Sequence, residues 1–111
     1  MKIAIIGAGT MGQGIAQVCA QAGLETVLFD INAAAAEQAH RATRQTWTTL
    51  NQRGKLTPEA KAHAEAHLTV TTNFADLVAD VLLEAVVERL DVKQELFRQL
   101  AAQNAPDAVL A

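Results

Sequence analysis

The feature that most constrains this chain is the glycine-rich segment Gly7-Ala8-Gly9-Thr10-Met11-Gly12, which directly follows the apolar run of residues 3–6 and opens a helical pattern. A short β-branched run of this kind is typical of a parallel strand buried on both faces. The first glycine permits a tight turn, the second lets a phosphate approach the backbone, and the third lets the helix pack closely on the strand. The segment therefore predicts a phosphate-binding turn at a helix N-terminus.

Apolar runs and helical patterns alternate along the rest of the chain. Strands are predicted at residues 3–6, 26–29, 68–71, 81–86 and 108–111. Helices are predicted at residues 11–22 and 33–53, from residue 58, briefly from residue 73, and at 92–104. The alternation predicts an α/β fold, a Rossmann-type doubly wound parallel sheet, with a helical insertion between strands two and three.

Helix ends and helix faces can also be predicted. Asn32 and Thr57 are expected N-caps, and Asp91 with Gln94 resembles a capping box that would start the last helix at Val92. The first helix carries an apolar face that we expect to pack in the core, with its cysteine as a small buried residue rather than a nucleophile. That face consists of Met11, Ile15, Val18 and Cys19.

An acidic residue, Asp30, ends the second strand, 18 residues after Gly12. A carboxylate at this place can accept hydrogen bonds from the hydroxyls of an adenosine ribose, and it would repel a 2′-phosphate. No arginine follows in Ile31-Asn32 to bind such a phosphate, so the sequence favours NAD over NADP. The alternatives are that Asp30 only caps the next helix and that the glycine turn is an empty structural loop.

Composition excludes some classes of function. The net charge of −3 with 19% charged residues gives no sign of nucleic-acid or membrane-surface binding. The single cysteine, Cys19, cannot form an internal disulfide, which fits a cytoplasmic location. His63 and His67 are four residues apart, but two imidazoles without a third ligand indicate a solvated helix face, and we predict no metal.

Three segments together resemble the 3-hydroxyacyl-CoA dehydrogenase family, including the bacterial 3-hydroxybutyryl-CoA dehydrogenases. They are the glycine turn with its strand, Arg53-Gly54-Lys55-Leu56-Thr57, and Glu84-Ala85-Val86-Val87-Glu88 followed by Lys93 and Phe97. The resemblance covers the whole chain and implies NAD-dependent interconversion of 3-hydroxyacyl-CoA and 3-oxoacyl-CoA. It further implies that Glu88 and Lys93 lie beside the nicotinamide half of the cofactor.

The same resemblance implies that Thr46 and Arg53 contact coenzyme A. The family pattern has serine and lysine there, so the hydroxyl and the charge are kept while the residues differ. Apart from the resemblance, the mild basic excess between strands two and three suits a phosphate-bearing substrate, although an ordinary solvated helical pair is the favoured alternative. The acyl-CoA is thus the expected partner, and the whole protein is expected to be a homodimer.

We expect residues 1–111 to form the N-terminal part of the NAD-binding domain, without the catalytic segment and the C-terminal helical domain. The family's catalytic histidine is expected further along, and none of His40, His63 and His67 matches it, so no catalytic residue is assigned in this chain. Two other functions stay open: a dehydrogenase of the 3-hydroxyisobutyrate type, and a non-catalytic nucleotide-binding or structural protein on the same fold. Glu84 and Glu88, near the end of strand four, argue against the 3-hydroxyisobutyrate type.

Overall fold

A five-stranded parallel sheet organises the computed structural model, which describes residues 1–85 and 90–111. Its strands are β1 (Lys2–Ile6), β2 (Glu25–Phe29), β3 (Leu68–Thr71), β4 (Val81–Glu84) and β5 (Val109–Leu110). The order across the sheet is β3-β2-β1-β4-β5, so the chain winds outward from β1 in both directions. The predicted doubly wound parallel sheet is confirmed.

Within the described residues, four α-helices connect the strands: α1 (Thr10–Gln21), α2 (Ala33–Gln52), α3 (Pro58–Ala66) and α4 (Leu90–Gln103). A short 3-10 helix, Phe74–Asp76, follows β3. The pair α2 and α3 forms the predicted insertion between β2 and β3. Two expected caps are confirmed, since the side chain of Asn32 accepts from the Ala35 amide and that of Thr57 from the Ala60 amide.

The sheet separates two apolar cores because successive side chains of a strand point to opposite faces. On β1, Ile5 faces one core, which α1, α2 and α3 cover with small residues and with Trp47. Ala4 and Ile6 face the other core, where Leu100 of α4 and Leu77 pack. The central strand is thus buried on both sides, as its uninterrupted apolar sequence predicts.

The expected start of the last helix was wrong. Helix α4 begins at Leu90, so Asp91 lies inside its first turn and does not precede it as a cap. A carboxylate in the first turn of a helix is stabilised by the helix dipole, so an acidic residue there does not by itself show where the helix begins. Strand β4 likewise ends at Glu84, and the predicted last residue of that strand, Val86, lies outside the described residues.

The expected core face of the first helix was wrong for Met11 and Val18, although Ile15 does pack against the core. Met11 and Val18 are 65% and 66% exposed, and Ile15 and Cys19 are only half-buried. The side of α1 that meets the sheet carries Gly12, Ala16 and Ala20 instead. Small side chains let the helix lie close to the strands, and this close packing, rather than hydrophobicity alone, sets its orientation.

Candidate functional site

The turn after β1 needs glycine at its first position. Gly7 has a φ of 113°, a left-handed backbone conformation that residues with a Cβ rarely adopt. Its amide donates to the carbonyl oxygen of Phe29 at 2.7 Å, which holds the turn against the end of β2. The glycine turn and the end of β2 therefore form one structural unit at the carboxyl edge of the sheet.

Gly12 marks a close approach between α1 and the turn. A Cβ atom added at Gly12 would lie 1.8 Å from the carbonyl oxygen of Gly7, a distance that forbids any side chain. Gly14, two residues further along, has no atom within 4 Å of a Cβ added there, so the constraint is specific to Gly12. The contact brings the first turn of α1 directly over the carboxyl end of β1.

The amide groups at the start of α1 are available to a ligand. Gly9 is the N-cap residue with an extended backbone and no side chain, and the amide of Gln13 bonds back to its carbonyl oxygen at 2.9 Å. The preceding amides, those of Thr10, Met11 and Gly12, belong to the first turn and have no partner four residues back. This arrangement, with the positive end of the helix dipole, suits a pyrophosphate.

Asp30 stands beside the turn, directly after β2. Its Oδ2 accepts from the amide of Ala8 at 3.1 Å, and its Oδ1 accepts from the amide of Asn32 at 2.8 Å. A carboxylate has about four acceptor positions, so two bonds leave capacity for ribose hydroxyls. The alternative role of Asp30 as the cap of the next helix is wrong, because the Asn32 side chain caps α2 as predicted. Asp30 bonds instead to the glycine turn.

A cavity of about 660 Å³ opens next to Asp30. This volume lies within the range of small-molecule sites, about 300–1,000 Å³. Its walls are mostly apolar and come from the ends of β1 and β2, the segment after β3 and helix α4: Ile6, Gly7, Phe29, Asp30, Ile31, Thr72, Phe74, Val92, Leu96 and Gln99. An apolar cavity beside a carboxylate matches the flat base and the hydroxylated sugar of an adenosine.

Most residues of this cavity wall could not be assigned to a site from the sequence. Helix α4 supplies Val92 and Leu96, while Phe74 comes from the 3-10 helix, where its ring meets that of Phe29 edge-on at 6.1 Å. The sequence does indicate that Val92 and Leu96 share one face of a helix, because they are four residues apart. No sequence pattern showed that this helix reaches the side of the sheet edge where Asp30 lies.

On the other side of the turn lies an ion pair. Lys93, in the first part of α4, is 3.2 Å from the Glu84 carboxylate, and the Glu84 side chain is only 4% exposed. Glu84 is the register partner of Ile6, the residue before Gly7. The predicted cofactor residue Lys93 therefore lies on the β4 side of the turn, whereas Asp30 lies on the β2 side. The other predicted residue, Glu88, lies outside the described residues.

The two residues expected to contact coenzyme A lie on α2. Thr46 is half-buried, and its hydroxyl donates to the carbonyl oxygen of Ala42 at 3.0 Å. Arg53 is the exposed C-cap residue of the same helix, two turns further on. A helix rises about 1.5 Å per residue, so Thr46 and Arg53 lie roughly 20 and 30 Å along α2 from its start near Asp30. The structure does not bring them to the glycine turn.

The histidines lie on the helical insertion. The rings of His63 and His67 stack with centroids 4.2 Å apart, and His67 Nδ1 contacts the carbonyl oxygen of His63 at 2.7 Å. Within residues 1–85 and 90–111, no group of three or more metal-ligating side chains comes together. No helix in this part of the chain has the length and apolar character needed to cross a membrane.

A parallel sheet with a glycine turn, a helix N-terminus and an acidic residue at the end of β2 defines a dinucleotide-binding domain of the Rossmann class. Residues 2–111 match the family model described as 3-hydroxyacyl-CoA dehydrogenase, NAD binding domain. The chain therefore belongs to the NAD-binding domain family of the 3-hydroxyacyl-CoA dehydrogenases, and its cofactor is NAD. The family resemblance and the expected cofactor are both confirmed.

Sequence and structural similarity to known proteins indicates the same family. The chain is 40% identical over 109 residues to the 3-hydroxyadipyl-CoA dehydrogenase of Escherichia coli, covering 97% of this chain and 23% of that protein. It is 37% identical to a probable 3-hydroxybutyryl-CoA dehydrogenase of Deinococcus radiodurans, covering 100% of this chain and 40% of the relative. The crystal structure of a 3-hydroxybutyryl-CoA dehydrogenase from Escherichia coli superposes with a TM-score of 0.95 at 40% identity, covering 99% of this chain and 24% of that one. The chain thus spans between a quarter and two fifths of these relatives, approximately.

Proposed function

We propose that this chain is the NAD-binding part of an oxidoreductase that interconverts 3-hydroxyacyl-CoA and 3-oxoacyl-CoA. The observation that carries the proposal is the Asp30 carboxylate, bonded to the glycine turn at Ala8 and facing the apolar cavity. The names of the relatives support acyl-CoA as the substrate class. Bound NAD supplies the acceptor or donor of the hydride exchanged with the substrate.

The residues proposed to hold the cofactor divide by the part of NAD that they contact. The turn binds the pyrophosphate through its backbone, with no side chain at Gly9 or Gly12 to block the approach. Asp30 accepts from the adenosine ribose, and Ile31, which is 85% exposed at the cavity edge, provides an apolar surface for the base. Lys93 and Glu88 serve the nicotinamide half. The pyrophosphate set is Gly7, Ala8, Gly9, Thr10, Met11 and Gly12.

For the substrate, we propose that Thr46 and Arg53 contact the coenzyme A moiety. Their distance along α2 from the glycine turn requires an elongated substrate, which suits an acyl-CoA whose acyl end lies at the nicotinamide while its nucleotide end lies far away. Arg53 is exposed and can pair with a phosphate. We further propose that the whole protein is a cytoplasmic homodimer and that residues 1–111 form its N-terminal part.

The test is a substrate comparison with the whole gene product. We expect it to oxidise NADH with acetoacetyl-CoA and to leave hydroxyisobutyrate unoxidised in the presence of NAD. Turnover of hydroxyisobutyrate but not of acetoacetyl-CoA would favour the 3-hydroxyisobutyrate type of dehydrogenase. Binding of NAD without turnover of either substrate would favour a non-catalytic protein on this fold.

A further inference from the structure

The function proposed so far assigns a role to Lys93 but none to Glu84, the buried carboxylate with which Lys93 forms an ion pair. Glu84 is the last residue of β4, and its side chain is 4% exposed, while that of Lys93 is 38% exposed. Removing a carboxylate from water costs free energy, and a nearby cation offsets part of that cost. The buried Glu84 carboxylate therefore needs the ammonium group of Lys93 beside it.

Lys93 occupies an unfavourable place for a cation. It is the fourth residue of α4, near the positive end of the helix dipole, where lysine is disfavoured. The Glu84 carboxylate, 3.2 Å from its ammonium group, offsets that repulsion. Without Glu84, the flexible side chain of Lys93 would move its ammonium group into solvent.

The sheet order shows which part of the cofactor the pair faces. Strand β1 with the glycine turn lies between β2, which Asp30 directly follows, and β4, which ends at Glu84. Neighbouring strands are about 4.8 Å apart, so Asp30 and Glu84 stand on opposite sides of the turn, roughly 10 Å apart across the sheet. A dinucleotide with its adenosine ribose on Asp30 and its pyrophosphate on the turn extends its other half toward β4.

We propose that Glu84 is a positioning residue that holds the Lys93 ammonium group on the nicotinamide side of the glycine turn. The inference rests on the proposed cofactor role of Lys93. Glu84 acts through Lys93 and does not itself contact the cofactor.

The sign of the effect separates this role from a purely electrostatic one. Removing a negative charge near a pyrophosphate should strengthen the binding of an anionic cofactor if charge alone matters. A positioning role predicts the opposite, because the lysine loses its orientation. We expect Glu84→Gln to weaken NADH binding about tenfold, the scale of one hydrogen bond to a charged group, and to leave AMP binding unchanged.

The experiment measures NADH and AMP binding to the 111-residue chain by fluorescence and calorimetry, with circular dichroism as the check of folding. Glu95→Gln is the matched control, since Glu95 forms an exposed ion pair with Arg98 on the same helix and should change neither affinity. In a Lys93→Met background, Glu84→Gln should cause no further loss of NADH affinity. A further loss there, unchanged or tighter NADH binding, or an equal loss for AMP would each overturn the inference.

If Glu84→Gln does not fold, Glu84→Asp replaces it, because aspartate keeps the charge but is one methylene shorter. It should weaken NADH binding to a smaller degree and spare AMP, and unchanged NADH binding would overturn the inference. A wild-type chain that binds no NADH would refute the proposed function, and the inference with it. A wild-type chain that binds NADH while the variants bind it equally well refutes the inference alone.

Discussion

Two carboxylates at the sheet edge illustrate how the surroundings of a side chain decide its function. Asp30 is half-buried and accepts hydrogen bonds from two backbone amides, which hold its carboxylate beside the glycine turn. Glu84 is nearly fully buried and pairs with Lys93. The first is arranged to accept hydroxyl groups, whereas the second is arranged to orient another side chain.

Cys19 gives a prediction at the residue scale. Its half-buried position raises the pKa of the thiol through desolvation, which lowers the fraction of reactive thiolate at a given pH. We expect iodoacetamide to modify Cys19 in the folded chain more slowly than in the chain unfolded in guanidinium chloride. The difference should shrink as the pH rises above the folded pKa. Equal rates at pH 8 in the two states would contradict this.

At the scale of elements, α1 can approach the sheet closely because the face that meets the sheet has no large side chains. Gly12 allows the helix to meet the turn, and small side chains allow it to meet the sheet. Helix α2, by contrast, is anchored in the core by one large side chain, the fully buried Trp47. The indole Nε1 donates to Gln21 Oε1 at 3.0 Å and so ties α2 to the end of α1.

Gly12→Ala tests the close approach of α1. The added methyl group meets a backbone oxygen that cannot rotate away, so α1 must shift, at a cost of about 1–3 kcal/mol or more in the free energy of unfolding. We expect NADH binding to fall below detection. The matched control is Gly14→Ala, which has open space and should raise stability by up to about 1 kcal/mol because alanine favours the helix. Similar denaturation midpoints and NADH affinities for the two variants would refute the assigned contact.

Trp47→Ala tests the attachment of α2. Removing a fully buried indole costs about 3–5 kcal/mol, which should lower the Tm by at least ~10 °C. Val18→Ala on the exposed face of α1 serves as the control and should lower it by no more than ~2 °C. Thermal unfolding followed by circular dichroism measures both. A small loss at Trp47 would show that α2 is held by other contacts.

For the whole molecule, the fold could be predicted from sequence because local signals and global topology agree. Buried strands, cap residues and glycines each point to the same alternating pattern. The core face of α1 was predicted wrongly because the distance between helix and sheet, rather than hydrophobicity, decides which residues are buried there. Gly12 and Ala16 face the sheet, while Met11 faces outward. A hydrophobic pattern cannot show how closely two elements approach.

The candidate site was predictable only in part, for the same reason. The glycine turn and Asp30 are neighbours through two adjacent strands, so their spacing in sequence predicts their meeting. The pairing of Glu84 with Lys93 depends on how α4 turns back over β4, and the cavity wall depends on where Phe74 and Leu96 fall. Such contacts between separate elements follow from packing and have no signal of their own in the sequence.

The most direct test of the account is the preference of this chain for NAD over NADP, measured by calorimetry. Loss of hydrogen bonds from Asp30 and repulsion of a 2′-phosphate should favour NAD about thirty- to a thousand-fold. Asp30→Ala should remove most of that preference, chiefly by weakening NAD, while Asp107→Asn, at an exposed residue before β5, should leave it intact. If the wild-type chain binds NADP as tightly as NAD, the assignment of Asp30 to the adenosine ribose is wrong.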